Sequence, residues 1–257
     1  IVASLAAIAL AVSGATATMA ATLPKVPMAK SLGKGEGALN IIVWAGYAEN
    51  GSNDKTVDWV NPFTKATGCK VNAKTAGTSD EMVSLMKTGG YDGVSASGDA
   101  SLRLIYGGQA APVNTSLVPS YKTISPFLKN QKWNSVNGTM YGIPHGWGAN
   151  VLAYNSAKVK KPTSWSVVFD AKSPYAGKIT AYDSPIYIAD AAMYLMAHNK
   201  SLGIKNPYAL DQKQLDAAVA LLKTQKKNVG EYWSDYTKSV QSFESGNTLL
   251  GSSWQVI

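Results

Sequence analysis

The stretch GGYDGVSASGDASLRLIYGG, Gly89–Gly108, holds a complete structural unit. Paired glycines open and close it, a short strand runs through Val94, a loop of small residues follows, and Asp99–Tyr106 reads as a helix. Two similar units precede it. Leu39–Trp44 is strand-like, and Lys55–Ala66 carries Val57, Val60 and Phe63 at helical spacing although Pro62 interrupts them. Cys69–Lys74 is a second strand, and Thr78 with Glu81 forms a T-x-x-E capping box ahead of Met82, Leu85 and Met86. Three strand–helix units in succession predict an α/β fold with a parallel sheet covered on both faces. Ligands of such sheets sit at the carboxyl ends of the strands. That edge holds Trp44 and Tyr47, from IIVWAGYAEN (Ile41–Asn50), together with Ser97 and Asp99. On pattern alone, Trp44 is either a plug on the core or one wall of a site, and Asp99 is equally an N-cap for the helix that follows it.

The second half changes character. MYGIPHGWGANVLAYN predicts two short strands around a bend rich in Gly and Pro, and KPTSWSVVF a short capped helix. GKITAYD is a strand ending in Asp183, and YIADAAMYLMAH starts a helix near Pro185, which Asp183 could cap. Asp211–Thr224 is amphipathic through Leu215, Val219 and Leu222, and NTLLGSSW closes the chain on a strand ending at Trp254. The expected division is a first lobe over 38–143 and a second over 144–257, with a crossing near Ile143–Asn155. A spacer rich in Gly, Lys and Pro precedes them at 24–37. A chain that stops just after a strand suggests a fold continuing beyond this C-terminus.

With 46% hydrophobic and 16% charged residues, the chain has the composition of a folded globular protein. The net charge is +8, but the lysines are dispersed and Arg103 is the sole arginine. Arginine dominates phosphate and base contacts, so a nucleic-acid partner is not expected. Residues 1–23 carry no charge, are rich in Ala and end in A-x-A steps, which predicts a secretory signal peptide lacking its basic n-region. A lone Cys69 cannot form an internal disulfide and reads as a small hydrophobe at a strand entry. The two histidines, His145 and His198, lie far apart without metal-ligand spacing, and no nucleophile elbow, phosphate loop or dinucleotide fingerprint occurs. Neither a metal, a cofactor nor enzymatic chemistry is expected.

Read together, VWAGYAEN, GGYDGVSASGDASLRLI, YGIPHGWGANVLAYN, PTSW, YDSPIYIADAA and GSSW resemble the periplasmic polyamine (putrescine/spermidine)-binding proteins of ABC importers, most of all their YdcS-type branch. The resemblance runs from about Glu36 to Trp254. It implies a two-lobed periplasmic-binding-protein fold that closes at a hinge, in a periplasmic monomer that delivers its ligand to permease subunits in the membrane. Family members continue beyond the point where this chain stops. By the same resemblance, Trp44 and Tyr47 match the aromatic pair that stacks on the amine's aliphatic stem, and Ser97 the pocket serine. Asp183 matches an acid pairing with an ammonium, and Trp254 the tryptophan of the second crossing. Two positions depart: Ile186 stands where spermidine receptors carry Glu, and Asp99 where they carry Tyr.

Such a ligand needs aromatic faces for its methylenes and a carboxylate for each ammonium. Trp44, Tyr47 and Trp254, with Trp147 or Tyr187, are expected to supply the faces, and Asp99 and Asp183 the anions. The altered acids leave room for another amine-bearing solute such as γ-aminobutyrate. An exported enzyme using the same cleft is the alternative from another class.

Overall fold

A computed structural model describes residues 22–255 and 257 of the chain. The expected signal peptide falls outside the described residues except for its last two positions. In chain order the elements are β1 (Ala38–Val43), α1 (Val60–Thr67), β2 (Lys70–Thr75), α2 (Ser79–Met86), β3 (Gly93–Val94), α3 (Gly98–Tyr106), β4 (Ser135–Val136), β5 (Thr139–Met140) and β6 (Asn150–Tyr154). There follow α4 (Ser166–Phe169), β7 (Ile179–Tyr182), α5 (Ile186–His198), α6 (Gln212–Gln225), β8 (Val229–Trp233), α7 (Tyr236–Glu244) and β9 (Leu250–Trp254).

The first sheet has the order β2-β1-β3 and is wholly parallel, with Ala38 opposite Lys70 and Ile42 opposite both Lys74 and Val94. Ile42, Ala76 and Met82 bury its core under α2, and Val83, Ala100 and Leu104 continue it between α2 and α3. Helix α1 starts at Val60 rather than Lys55, which places Pro62 in the first turn, where its missing N–H costs no hydrogen bond. The capping box of α2 is half as expected. Thr78 Oγ1 accepts from the Glu81 N–H at 3.2 Å, but the Glu81 carboxylate accepts from the N–H of Gly77 instead of Thr78. The 24–37 spacer has no helix or strand, and the Ala29 carbonyl accepts a hydrogen bond from Asn114.

The second sheet has the order β6-β9-β7-β8. Strands β9, β7 and β8 are mutually parallel neighbours, whereas β6 runs antiparallel to β9, with Asn150 opposite Trp254. Strand β6, an edge strand entering from the preceding loop, meets β9 in the opposite sense and makes the otherwise parallel sheet mixed. Its core is Phe169, Ala181, Tyr182, Ala191, Ala192, Ala218 and Trp233, between the sheet, α5 and α6. The β4–β5 hairpin turns on Asn137 and Gly138, both at positive φ, joining Ser135 to Met140 and Val136 to Thr139.

Candidate functional site

Strand β1 ends at Val43 and hands the chain to a turn in which the Tyr47 N–H bonds to the Trp44 carbonyl, with Gly46 at φ +85°. The turn carries both aromatics off the sheet's carboxyl edge into a cleft of about 670 Å³. Trp44, Tyr47 and Ser97 line it from the first sheet, with Ile186 and Tyr208 opposite. The loop between β5 and β6 adds His145 and Trp147. Tyr47 stacks on His145 at 4.5 Å and 11°, and Trp147, 68% exposed, meets Phe127 edge-on at the rim.

Trp44 is no plug on its own sheet alone; it also reaches the second one. Its ring meets Trp254 edge-on at 6.0 Å, and Trp254 in turn packs edge-on against Tyr182 at 5.2 Å and Trp233 at 5.0 Å. The Tyr182 hydroxyl donates to the Gly77 carbonyl at 3.2 Å, a second bridge between the halves. Burial, reinforced by the charge of Asp99, pushes that phenol up to about 12, so it remains a donor at neutral pH.

The acids divide differently from the expectation. Helix α3 takes Ser97 as its N-cap residue, not Asp99, which falls inside the first turn. Ser97 Oγ donates to Asp99 Oδ1 at 2.7 Å and contacts Ser79 Oγ. Asp99 Oδ2 is buried with no hydrogen-bond partner among the described residues. Gly98 is glycine because a Cβ there would stand 3.0 Å from the Trp133 side chain and 3.2 Å from the Tyr208 ring. That close approach brings Tyr208 onto the start of α3.

Four expected site residues do not line the aromatic cleft: Asp99 lies just past its Ser97 and Gly98, Trp254 meets it only through Trp44, and Asp183 and Tyr187 lie away from it. Asp183 is exposed and lines a separate cavity of about 480 Å³ with Thr78, Asp80 and Tyr232. Nor does it cap α5, whose N-cap position is Pro185. Tyr187 is 4% exposed, stacks on Phe169 at 5.9 Å, and accepts a hydrogen bond from Gln225 Nε2 at 2.6 Å. It is a core residue, and burial holds its phenol far above the ordinary value. The reason is helical phase. Consecutive residues point about 100° apart, so Ile186 in the cleft sends Tyr187 into the core.

One turn beyond Ile186 lies an acid that sequence reading did not select. Asp190 is the only charged residue from Ile186 to Ala197, and both its oxygens accept from Asn150 Nδ2, at 3.1 and 2.9 Å. Burial, opposed by the Asn150 bond and reinforced by the Asp99 charge, pushes its carboxyl up to about 6. The signal in the sequence was a lone acid inside an apolar helix. Between about pH 4 and 6 the folded state holds a proton here that the unfolded state has lost, so this contribution makes stability fall as pH rises through that window and then level off. Asp190→Asn is expected to abolish it. The variant should gain up to about 3 kcal/mol over the parent at pH 7.5 relative to pH 4, read by urea denaturation at both pH values. Equal differences at the two would refute the raised carboxyl.

Chemically, the cleft is a set of aromatic faces, and Asp99 and Asp190, each close along the chain to a residue lining it, make no ion pair among the described residues. The described residues hold no group of three metal-ligating side chains.

Comparison with known proteins adds to this geometry. Residues 58–256, more than three quarters of the chain, match the family model described as bacterial extracellular solute-binding protein. The spermidine/putrescine-binding periplasmic protein of Escherichia coli is 25% identical over 231 residues, covering 85% of this chain and 63% of that protein. The chain thus spans less than two thirds of the relative's length. The structure resembles that of the spermidine/putrescine substrate-binding protein PotD from Streptococcus pneumoniae, with TM-score 0.58, 23% identity, and 85% and 62% of the two chains covered. It also resembles iron-bound HitA from Pseudomonas aeruginosa, with TM-score 0.54, 14% identity, and 85% and 63% covered. One fold therefore serves solutes as unlike as an amine and a metal ion, and the ligand must be argued from the site.

Proposed function

The chain belongs to the bacterial extracellular solute-binding protein family, and from that premise we propose that it is a periplasmic receptor that captures a small polyamine, such as putrescine or spermidine, for an ABC importer. The observation that carries this reading is the cleft itself. Trp44, Tyr47 and Tyr208 line it as aromatic walls, Trp254 backs Trp44 edge-on, and next to the cleft residues Ser97 and Gly98 the Asp99 Oδ2 atom is buried with no partner among the described residues. Aromatic faces suit the methylenes and the ammonium of an alkylamine, at about 0.5–2 kcal/mol per cation–π contact. A buried anion without a counter-charge is costly until a cation arrives.

Relatives that the chain matches are named for spermidine and putrescine. Residues 38–143 form one lobe and 144–257 the other, and a ligand gripped between them favours the closed state, as in a hinge motion. Permease subunits in the membrane are the partners that receive it, and the receptor acts as a monomer. γ-Aminobutyrate is the second candidate. Its carboxylate would need a cation, yet no Lys or Arg lines the cleft, and Arg103 is paired with Asp80. The dication is favoured on that ground.

Calorimetric titration of the full-length mature receptor with putrescine, spermidine and γ-aminobutyrate tests the reading. A diamine should bind, and Trp44→Ala should weaken it roughly tenfold, the equivalent of about 1.4 kcal/mol. Binding of γ-aminobutyrate alone would keep the receptor and change its solute. An unchanged affinity in Trp44→Ala would remove that wall from the site.

A further inference from the structure

We propose that Asp190 is a specificity-determining residue of the cleft: with Asp99 facing it from α3, it holds one terminal ammonium of the bound amine beneath Tyr208. The inference rests on the amine-receptor reading and deepens it.

Four observations converge. Asp190 lies one turn after Ile186, a cleft residue, and side chains four apart share a helix face. Its carboxylate is held by Asn150 Nδ2, and Asn150 sits on β6 opposite Trp254 of β9, so the strand paired with the one carrying the tryptophan that Trp44 meets also steers the acid. A carboxylate offers about four lone-pair sites, and one amide nitrogen does not exhaust them. Asp99, whose charge reaches Asp190, has its Oδ2 buried without a partner among the described residues, and helices α3 and α5 touch. Finally, Tyr208 lies against Gly98 at the start of α3, and its phenol is raised by burial and by the charges of both Asp190 and Asp99.

Two like charges facing each other in a partly dry site repel and disfavour the empty folded state. An ammonium reverses this. Its three donors can be shared among Asp99 Oδ2, the Asp190 carboxylate and the Tyr208 hydroxyl. Because Asp99 comes from the first half and Asp190 from the second, one nitrogen then ties the two together. The charge that reaches Asp190 is that of Asp99 on α3; the other titratable groups it couples to, Tyr208 in the loop before α6 and Tyr187 on its own helix, are neutral phenols held up by burial and by Asp190 itself. None of the lysines on α6 or in the Lys200–Leu202 turn forms an ion pair with it.

The test is calorimetric titration of full-length mature receptor with putrescine at pH 7.5 and pH 5, using the parent, Asp190→Asn, and Asp216→Asn as a control for lost surface charge. Asp190→Asn should weaken putrescine by roughly thirtyfold or more at pH 7.5, the range for truncating one member of a buried charge pair. The parent should lose roughly tenfold between pH 7.5 and 5 as the acid protonates, and the variant should lose far less. A urea midpoint at or above the parent's shows that Asp190→Asn is folded. Should it fall instead, Asn150→Ala, which keeps the acid but removes the bond that opposes its raised carboxyl, should weaken binding at pH 7.5 and shift the midpoint of the pH profile upward. Parent-like affinity and pH dependence in Asp190→Asn overturn the assignment while leaving the receptor intact. A parent that binds no diamine at all sinks the amine reading, and this inference with it.

Discussion

Replacing Trp233 with alanine should lower stability by on the order of 3–5 kcal/mol, the cost of removing a fully packed aromatic from a core. Trp233 is 1% exposed at the end of β8 and lies against Tyr182 at 4.6 Å and Trp254 at 5.0 Å. Deleting the indole opens a cavity behind Trp254, which Trp44 meets edge-on, and behind Tyr182. The melting temperature should fall by on the order of 10 °C, given a few degrees per kcal/mol in a chain of this size. Amine binding should weaken beyond what lost stability explains, because Trp254 and Tyr182 lose their backing. Trp233→Phe should cost much less. Its benzene ring keeps most of the contact, and it removes an indole N–H that is buried without a partner among the described residues. Thermal melts by circular dichroism check the ordering. A loss under about 1 kcal/mol in Trp233→Ala would mean that the site relaxes into the space, contrary to the packing described.

Gly251→Ala is the second large effect, and its cause is steric. Gly251 sits in β9, opposite Thr180 of β7 and Ala153 of β6. A Cβ there would stand 2.0 Å from the Thr180 carbonyl oxygen, a backbone atom of a neighbouring strand that cannot swing aside. The strand must shift or the pairing must break. The expected loss is about 3 kcal/mol or more, at the upper end for overpacking. Because β9 carries Trp254 three residues on, binding should fail with the fold. Urea denaturation of the purified variant, or its absence from the soluble fraction, reads the outcome. A variant as stable as the parent would show that β9 and β7 are not in this register.

Much of the frame was legible because it is written in local terms. The strand–turn–helix units around Ile42, Val94 and Ile179, the Thr78 cap and the amphipathic helix over Asp211–Thr224 depend on neighbours within a few residues. The placement of Trp44, Tyr47 and Ser97 in one cleft follows from a parallel sheet's carboxyl edge, which alternating strands and helices already imply. Strand β8 and helix α7 were not read. VGEYW is short and half-polar, and the helix after it is mostly polar, so neither shows a strong period. The β4–β5 hairpin also went unread, although Asn137–Gly138 is a strong turn signal.

The sequence by itself determined the α/β class, the order of most elements and the aromatic half of the cleft. Those rest on periodicity and turn chemistry, which act over short stretches of chain. Only the tertiary structure decided which face of α5 meets the cleft. Whether Ile186 or Tyr187 lines it turns on the phase of that helix, and a shift of one residue rotates the set by about 100°. That phase is set by packing of Tyr187 on Phe169 and by the Asn150 bond to Asp190. Both are contacts between segments distant in sequence.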